Sequence, residues 1–210
     1  MYLSDIDIAE AVKRKDIVLE PFDAHRLQPA SYDILLGNRF LLSEQHKGSF
    51  IDPTKKVFPD MREVILKDGE EFVLHPGVTV LGFSHDYFGS KKYLIHLNGK
   101  SSLARIGLVV HNTAGLVNPG HFLNIVFELY NTNTIPIILR PKMEIAQLTF
   151  SELKTPPATE YAKVGRYGNG KKNWKGGIPP RSPHERALER AKYGQTLGLK
   201  ERALKKAKKK

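Results

Sequence analysis

The sequence contains no cysteine. Disulfides, thiolate metal sites and cysteine nucleophiles are therefore excluded together. It also lacks an apolar run long enough to span a membrane as a helix. Its first residues, MYLSDIDIAEAVKRKD, place acids where a secretory signal has positive charge ahead of an apolar stretch. The expectation is a cytoplasmic protein with no membrane partner. No fixed-period repeat is present, and His75, His85, His96, His111 and His121 are scattered, with no pair at a metal-ligand spacing supported by a third ligand. At 210 residues the chain suits one domain with an appendage better than two full domains.

What is there in excess is positive charge, a formal +11. Of this, residues 182–210 hold ten Lys/Arg against three Asp/Glu, a net +7. The rest of the chain is close to balanced, so the basic character belongs mostly to a tail. A lysine-rich end such as KERALKKAKKK can attract phosphates in a salt-sensitive way, but it is more simply a solvated, helical or disordered terminus. Nucleic acid is expected to bind weakly through it, if at all.

Ser4 followed three residues later by Asp7 is a capping-box pattern and predicts a short N-terminal helix. Short apolar runs then alternate with turn chemistry in KDGE, HPGV, NPG, NTNT and RPKM. Residues 27–154 accordingly read as all-β, a sandwich or barrel. From Lys154 the composition turns to Gly, Pro and Lys, which suggests a mobile segment or lid.

In NIVFELY, strand alternation puts Ile125, Phe127 and Leu129 on one face and Glu128 on the other. Taken alone, Glu128 reads as a solvated strand carboxylate. The stretch GKSSLARIGL, residues 99–108, combines a core-like Leu103, Ile106 and Leu108 with Lys100, Ser101, Ser102 and Arg105. Its bland reading is a strand end with a solvated arginine.

LQPASYDILLGNRF, EFVLHPG, GKSSLARIGL, HNTAGLVNPG, FELYN and PKMEIAQLTF occur in the order and approximate spacing of the dCTP deaminases, a family of the trimeric dUTPase-like superfamily, which the chain resembles over residues 1–161. The resemblance implies a mostly β fold, a distorted jelly-roll or β-barrel of the dUTPase-like type. It divides the chain into a β domain at 1–161, a lid at 162–181 and a basic tail at 182–210. It implies a homotrimer whose sites are built from neighbouring chains.

The implied reaction is hydrolytic deamination of dCTP to dUTP and ammonia, feeding pyrimidine deoxynucleotide synthesis. Zinc deaminases activate water on a metal held by His and Cys. Without cysteine that site is unavailable, and a carboxylate base with preorganised hydrogen bonds must serve instead. By resemblance Glu128 is the general base, while Ser101 and Arg105 hold the water, the developing oxyanion and the Glu128 side chain. Ala114 matches a position whose backbone approaches the base. Lys100 and Ser102 match phosphate-binding positions, and Tyr161 matches a tyrosine over the sugar or phosphates, although alone it reads as a surface aromatic. Gln147 belongs to the substrate-binding set; the lid departs from the family's closing segment, with RYGNGKKNWKGGIPPRS preferred over the later AKYGQ, and Lys172, Lys171 or Arg166 in it are the candidate phosphate ligands. Mg²⁺ is expected on the triphosphate and not in a protein cage. dTTP is a possible inhibitor.

Two positions depart from the family pattern. Asn118 stands where an aspartate is usual in VNPGH, and an amide can accept from a 3′-hydroxyl but cannot act as a base. Leu123 stands in place of a usual glycine and could narrow the site or reshape the turn. Asn118 disfavours the runner-up, dUTP diphosphatase or combined dUMP-forming activity, although TAG at 113–115 resembles bifunctional members. A noncatalytic nucleotide- or nucleic-acid-binding homologue is the remaining alternative.

Overall fold

The computed structural model describes residues 1–44, 50–52, 54, 55, 57–159 and 161–165. Helix α1 (Asp5–Lys13) opens on the capping box read from the sequence. The Ser4 hydroxyl accepts from the Asp7 amide at 3.3 Å, and the Asp7 carboxylate accepts from the Ser4 amide at 3.1 Å. Asp5 and Asp7 in the first turn and Lys13 in the last complement the helix dipole. Ile8 and Ala11 form its buried face.

Among the described residues twelve strands follow, all paired antiparallel. They are β1 (Ile17–Glu20), β2 (Leu27–Gln28), β3 (Ser31–Ser43), β4 (Met61–Ile65), β5 (Phe72–Leu74), β6 (Thr79–Ser90), β7 (Tyr93–Gly99), β8 (Leu108–Val109), β9 (Leu116–Val117), β10 (His121–Asn131), β11 (Ile137–Leu139) and β12 (Glu144–Glu152). The main sheet runs β8-β10-β6-β3-β12-β7-β9, with β1 added to β6 and β2 and β4 added to β3, while β5 and β11 pair separately. It curls into a half-barrel. A one-turn helix α2 (Ser101–Ala104) interrupts the strands, and α3 (Tyr161–Val164) follows them.

The curl depends on β3, which belongs to both halves of the sheet. Tyr32 to Leu35 pair with β12, whereas Leu36 and then Phe40 to Leu42 pair with β6, with a register shift between Leu36 and Phe40. At Gly37 a Cβ would lie 2.8 Å from the Phe83 carbonyl oxygen, so only glycine lets the strand pass that close to β6. The core inside the curl includes Tyr32, Phe40, Phe88, Phe127 and Phe150, all under 2 % exposed. Each such aromatic contributes roughly 1.5–3 kcal/mol of hydrophobic stabilisation. Phe40 and Phe72 stack with centroids 4.4 Å apart, joining the β5/β11 pair to the main sheet.

The alternation predicted for β10 is observed: Ile125, Phe127 and Leu129 are buried, while Val126, Glu128 and Tyr130 on the other face are partly open. Helix α2 was not foreseen from the sequence. The lid and tail proposed for 162–181 and 182–210 lie outside the described residues beyond 165.

Candidate active site

The segment from Lys100 to Leu108 owes its mixed composition to the tight turn it makes. Where β7 ends at Gly99 the chain winds into α2, with the Ala104 amide donating to the Lys100 carbonyl and the Arg105 amide to the Ser101 carbonyl. Gly107 closes the turn at φ +87°, and a Cβ there would lie 2.9 Å from the Asn133 backbone and the Thr132 hydroxyl. A side chain would be strained and crowded at once. Thr132 donates its amide to the Gly107 carbonyl and Asn133 its side chain to the Ile106 carbonyl, which fastens the turn to the end of β10. Leu103 packs on the core and Leu108 is buried. Ser101, Ser102 and Arg105 are left exposed.

Lys100, Ser101, Ser102 and Gln147 line one cavity of 340 Å³, together with residues 28–31 and Asp33. Lys100 Nζ donates to Asp33 Oδ2 at 2.5 Å and to Glu144 Oε2 at 2.6 Å. Burial pushes the Lys100 ammonium toward a lower pKa, but the hydrogen bonds and charges of the two carboxylates outweigh it and raise the pKa above the ordinary lysine value. Gln147 accepts from the Ser31 hydroxyl at 3.0 Å and donates to the Gly99 carbonyl at 3.3 Å. Its side chain therefore ties β12 to β3 and β7 at the cavity wall.

Asp33 is held from behind by a buried ion pair. Arg26 Nη1 lies 2.6 Å from Asp86 Oδ1, and Asp86 Oδ2 accepts from the Leu35 amide at 2.6 Å. The guanidinium also donates to the Asp33 carbonyl at 3.4 Å and lies over the Tyr32 ring. Side chains from two strands and a 3₁₀ turn thus fix the backbone that presents the Asp33 carboxylate. That carboxylate also takes a bond from Gln28 at 3.1 Å, while its Oδ1 is buried without a hydrogen-bond partner.

Glu128 stands elsewhere, on the outward face of β10. Its Oε2 accepts from the Asn112 amide at 3.2 Å. The loop that supplies this amide carries the exposed Ala114, and it is pinned to β7 by the Leu97 amide donating to the Gly115 carbonyl at 2.7 Å. Seven residues before Glu128, His121 stacks on the Tyr161 ring with centroids 4.2 Å apart, and the Tyr161 amide donates to the Pro119 carbonyl. Burial lowers the His121 pKa to about 4, so its imidazole is neutral at physiological pH. Asn118 is exposed, and its carbonyl accepts from the His121 amide at 3.0 Å. Leu123 packs against the core and does not stand free in the turn.

Most residues singled out in the sequence fall into three groups: the cavity group of Lys100, Ser101, Ser102 and Gln147, the pair of Glu128 and the Ala114 loop, and the group of Asn118 and Tyr161; Arg105 is exposed at the end of α2, outside the cavity lining, and Leu123 packs on the core. Among the described residues no hydrogen bond or ion pair joins Glu128 to Ser101 or Arg105 within the chain. Lys171, Lys172 and Arg166 lie outside the described residues. Sequence reasoning missed Asp33, Gln28, Ser31, Glu144, Asn112 and His121. Asp33 had a signal, an acid in the otherwise buried run SYDI, whereas the others act through pairings across up to 116 residues of sequence.

The sequence model of the dCTP deaminase-like family matches residues 2–153. The chain is 43% identical over 166 residues to the dCTP deaminase of Haloarcula marismortui, covering 77% of this chain and 85% of that protein. It is 43% identical over 162 residues to the dCTP deaminase, dUMP-forming, of Tropheryma whipplei strain Twist, covering 77% and 83%. The crystal structure of 2′-deoxycytidine 5′-triphosphate deaminase from Agrobacterium tumefaciens shares the fold, with a TM-score of 0.55 at 20% identity over 81% of this chain. This chain spans about half of that one, 53%. With a turn that bares two serines and an arginine, a carboxylate on the outward face of β10 and a family match spanning the whole β domain, the chain belongs to the dCTP deaminase-like family.

Proposed function

We propose that the protein is a cytoplasmic dCTP deaminase that converts dCTP and water to dUTP and ammonia, with Glu128 as general base. The observation that carries this reading is the outward Glu128 carboxylate, fixed by a backbone amide in a chain of this family. In the reaction Glu128 takes a proton from water as the oxygen attacks C4 of the cytosine. Glu128 passes this proton to N3, then takes the proton of the new C4 hydroxyl and delivers it to the amine, so that the C4–N4 bond breaks as the C4 carbonyl forms and the amine leaves as ammonia. Ser101 and Arg105 orient the water and stabilise the charge that develops on its oxygen. The permanent charge and rigid fork of donors suit arginine to that task. Ala114 leaves room for the base, Lys100 and Ser102 bind the phosphates, and Gln147 belongs to the substrate-binding set. Tyr161 covers the sugar or phosphates, Asn118 bonds the 3′-hydroxyl, and Lys172 adds a cation from the 162–181 lid, with 182–210 a separate tail.

Because no hydrogen bond or ion pair joins Glu128 to Arg105 among the described residues, the proposed site is completed by a neighbouring copy in a homotrimer. Exposed Ile106 and Leu116, beside the Arg105 turn and the Ala114 loop, support burial of these faces against another chain. Bound through the triphosphate, Mg²⁺ would supply neutralisation of phosphate charge. The chain's donors fit a hydrated ion of this kind: Asp33 Oδ1, a buried carboxylate oxygen without a partner, belongs to a residue on the cavity wall. Among the described residues no cluster of three His, Cys, Asp or Glu could hold a metal. dTTP, as the downstream pyrimidine triphosphate, competes for the same site.

A second reading, release of dUMP, is favoured by the dUMP-forming relatives and opposed by Asn118. Incubating the purified full-length protein with dCTP or dUTP and Mg²⁺, with ammonia assay and anion-exchange separation, decides between them. Ammonia with accumulating dUTP is the expected result. dUMP and pyrophosphate would establish the second reading, and nucleotide binding without turnover would overturn both.

A further inference from the structure

Lys100 is assigned above to the nucleotide's phosphates, yet two of its three N–H donors are already taken, by Asp33 and Glu144 at 2.5 and 2.6 Å. One ammonium between two carboxylates leaves a local charge of −1 at the place where phosphates are to bind. The two acids differ in freedom. Asp33 has a side chain 1 % exposed, sits in the buried part of β3, and is also bonded by Gln28. It cannot leave. Glu144 has a side chain 48 % exposed and occupies the first position of β12, ahead of a register shift in the pairing with β3. It can rotate into solvent without disturbing the sheet, and it is not part of the cavity wall.

From this asymmetry, and resting on the phosphate-binding role proposed for Lys100, we infer that Glu144 is a specificity-determining residue that competes with the nucleotide's phosphates for Lys100. With no nucleotide bound it holds the ammonium at the rim of the cavity. A phosphate binds by displacing the Glu144 carboxylate, while Asp33 keeps its bond and retains the lysine as a pivot. The cost of displacement falls on ligands that carry phosphate to Lys100 and leaves the nucleoside part untouched. Glu144 therefore acts through Lys100 and makes no contact with the reacting atoms.

The test is Glu144→Gln in the full-length protein, with equilibrium binding of dCTP and of deoxycytidine at fixed excess Mg²⁺, and steady-state kinetics alongside. The expected result is roughly two- to fivefold tighter dCTP binding at low salt, shrinking as salt rises, which is the range of a partly exposed ion pair. KM falls by the same factor, kcat is unchanged, deoxycytidine affinity is unchanged, and Glu144→Asp behaves like the wild type. Unchanged or weaker dCTP binding by the Gln variant would overturn the inference, because Glu144 would then be idle or would orient Lys100 for phosphate. So would an equal change for deoxycytidine, which marks a general structural effect. Lys100→Met separates the two levels: if it binds dCTP as the wild type does, the phosphate assignment itself fails and the inference with it. If it binds more weakly while Glu144→Gln gives no gain, only the inference fails.

Discussion

At the cavity, Lys100 meets two carboxylates of its own chain, and the backbone behind it is fixed by the buried Arg26–Asp86 pair. On the outward face of β10, Glu128 accepts from one backbone amide among the described residues, and Arg105 and Ser101 stand exposed on the turn around α2. In the first region the buried Arg26–Asp86 pair is matched within one chain and supports the fold. The second has chemically capable groups with few internal partners, the arrangement expected where ligand or a second chain supplies the rest. Stability and catalysis are thus assigned to different faces, and substitutions can separate them.

The largest separation is expected at Glu128. Glu128→Gln should lower kcat for dCTP by about 10²–10⁴-fold, the range of a lost general base, with stability within about 0.5 kcal/mol of wild type. A loss of stability comparable to the loss of activity would merge the two regions. The converse variant, Asp86→Ala, leaves the Arg26 guanidinium buried without its carboxylate and should cost about 3–5 kcal/mol in denaturant unfolding. An unfolding midpoint equal to wild type would remove the buried pair from the account.

His121 gives an intermediate effect with a definite sign. Its folded pKa of about 4 lies below the 6.5 of an unfolded histidine, so between those values the unfolded chain binds more protons. Its contribution is fully present above pH 6.5, is lost as pH falls, and levels off below about pH 4. The loss is at most about 3.5 kcal/mol, since each pKa unit is worth about 1.4 kcal/mol. Urea unfolding at pH 7 and pH 4 should show it in the wild type and show less of it in His121→Phe; an identical pH dependence in both would assign it to other groups. The smallest effect is at Asn118, whose side chain is exposed: Asn118→Asp should leave stability within about 0.5 kcal/mol and raise dUMP release from dUTP. No gain in dUMP would mean that the block on cleavage lies elsewhere.

Much of this was legible in the sequence where the determinants are local. The Ser4–Asp7 cap depends on a spacing of three residues and the β10 alternation on a period of two, and both are found as read. The turns at 68–69, 76–77, 119–120 and 141–142 fall within the fragments read as turn chemistry. The α2 turn was hidden because four residues are too few to show a helical period, and its end is set by the contact of Gly107 with Thr132 and Asn133. The clamp on Lys100 was hidden for a different reason: Asp33 and Glu144 are 67 residues before it and 44 after it, brought together by pairings that no local pattern encodes. His121 looked like one of several scattered histidines until β10 and α3 brought it against Tyr161.

In the proposed deaminase Glu128 and Arg105 meet only across two chains. The most direct test uses Glu128→Gln and Arg105→Ala, each inactive alone, mixed under conditions where native mass spectrometry confirms subunit exchange. Ammonia release from dCTP on mixing is the predicted result, since a mixed assembly joins the intact Glu128 of one chain to the intact Arg105 of another. Exchange without any return of activity would contradict it.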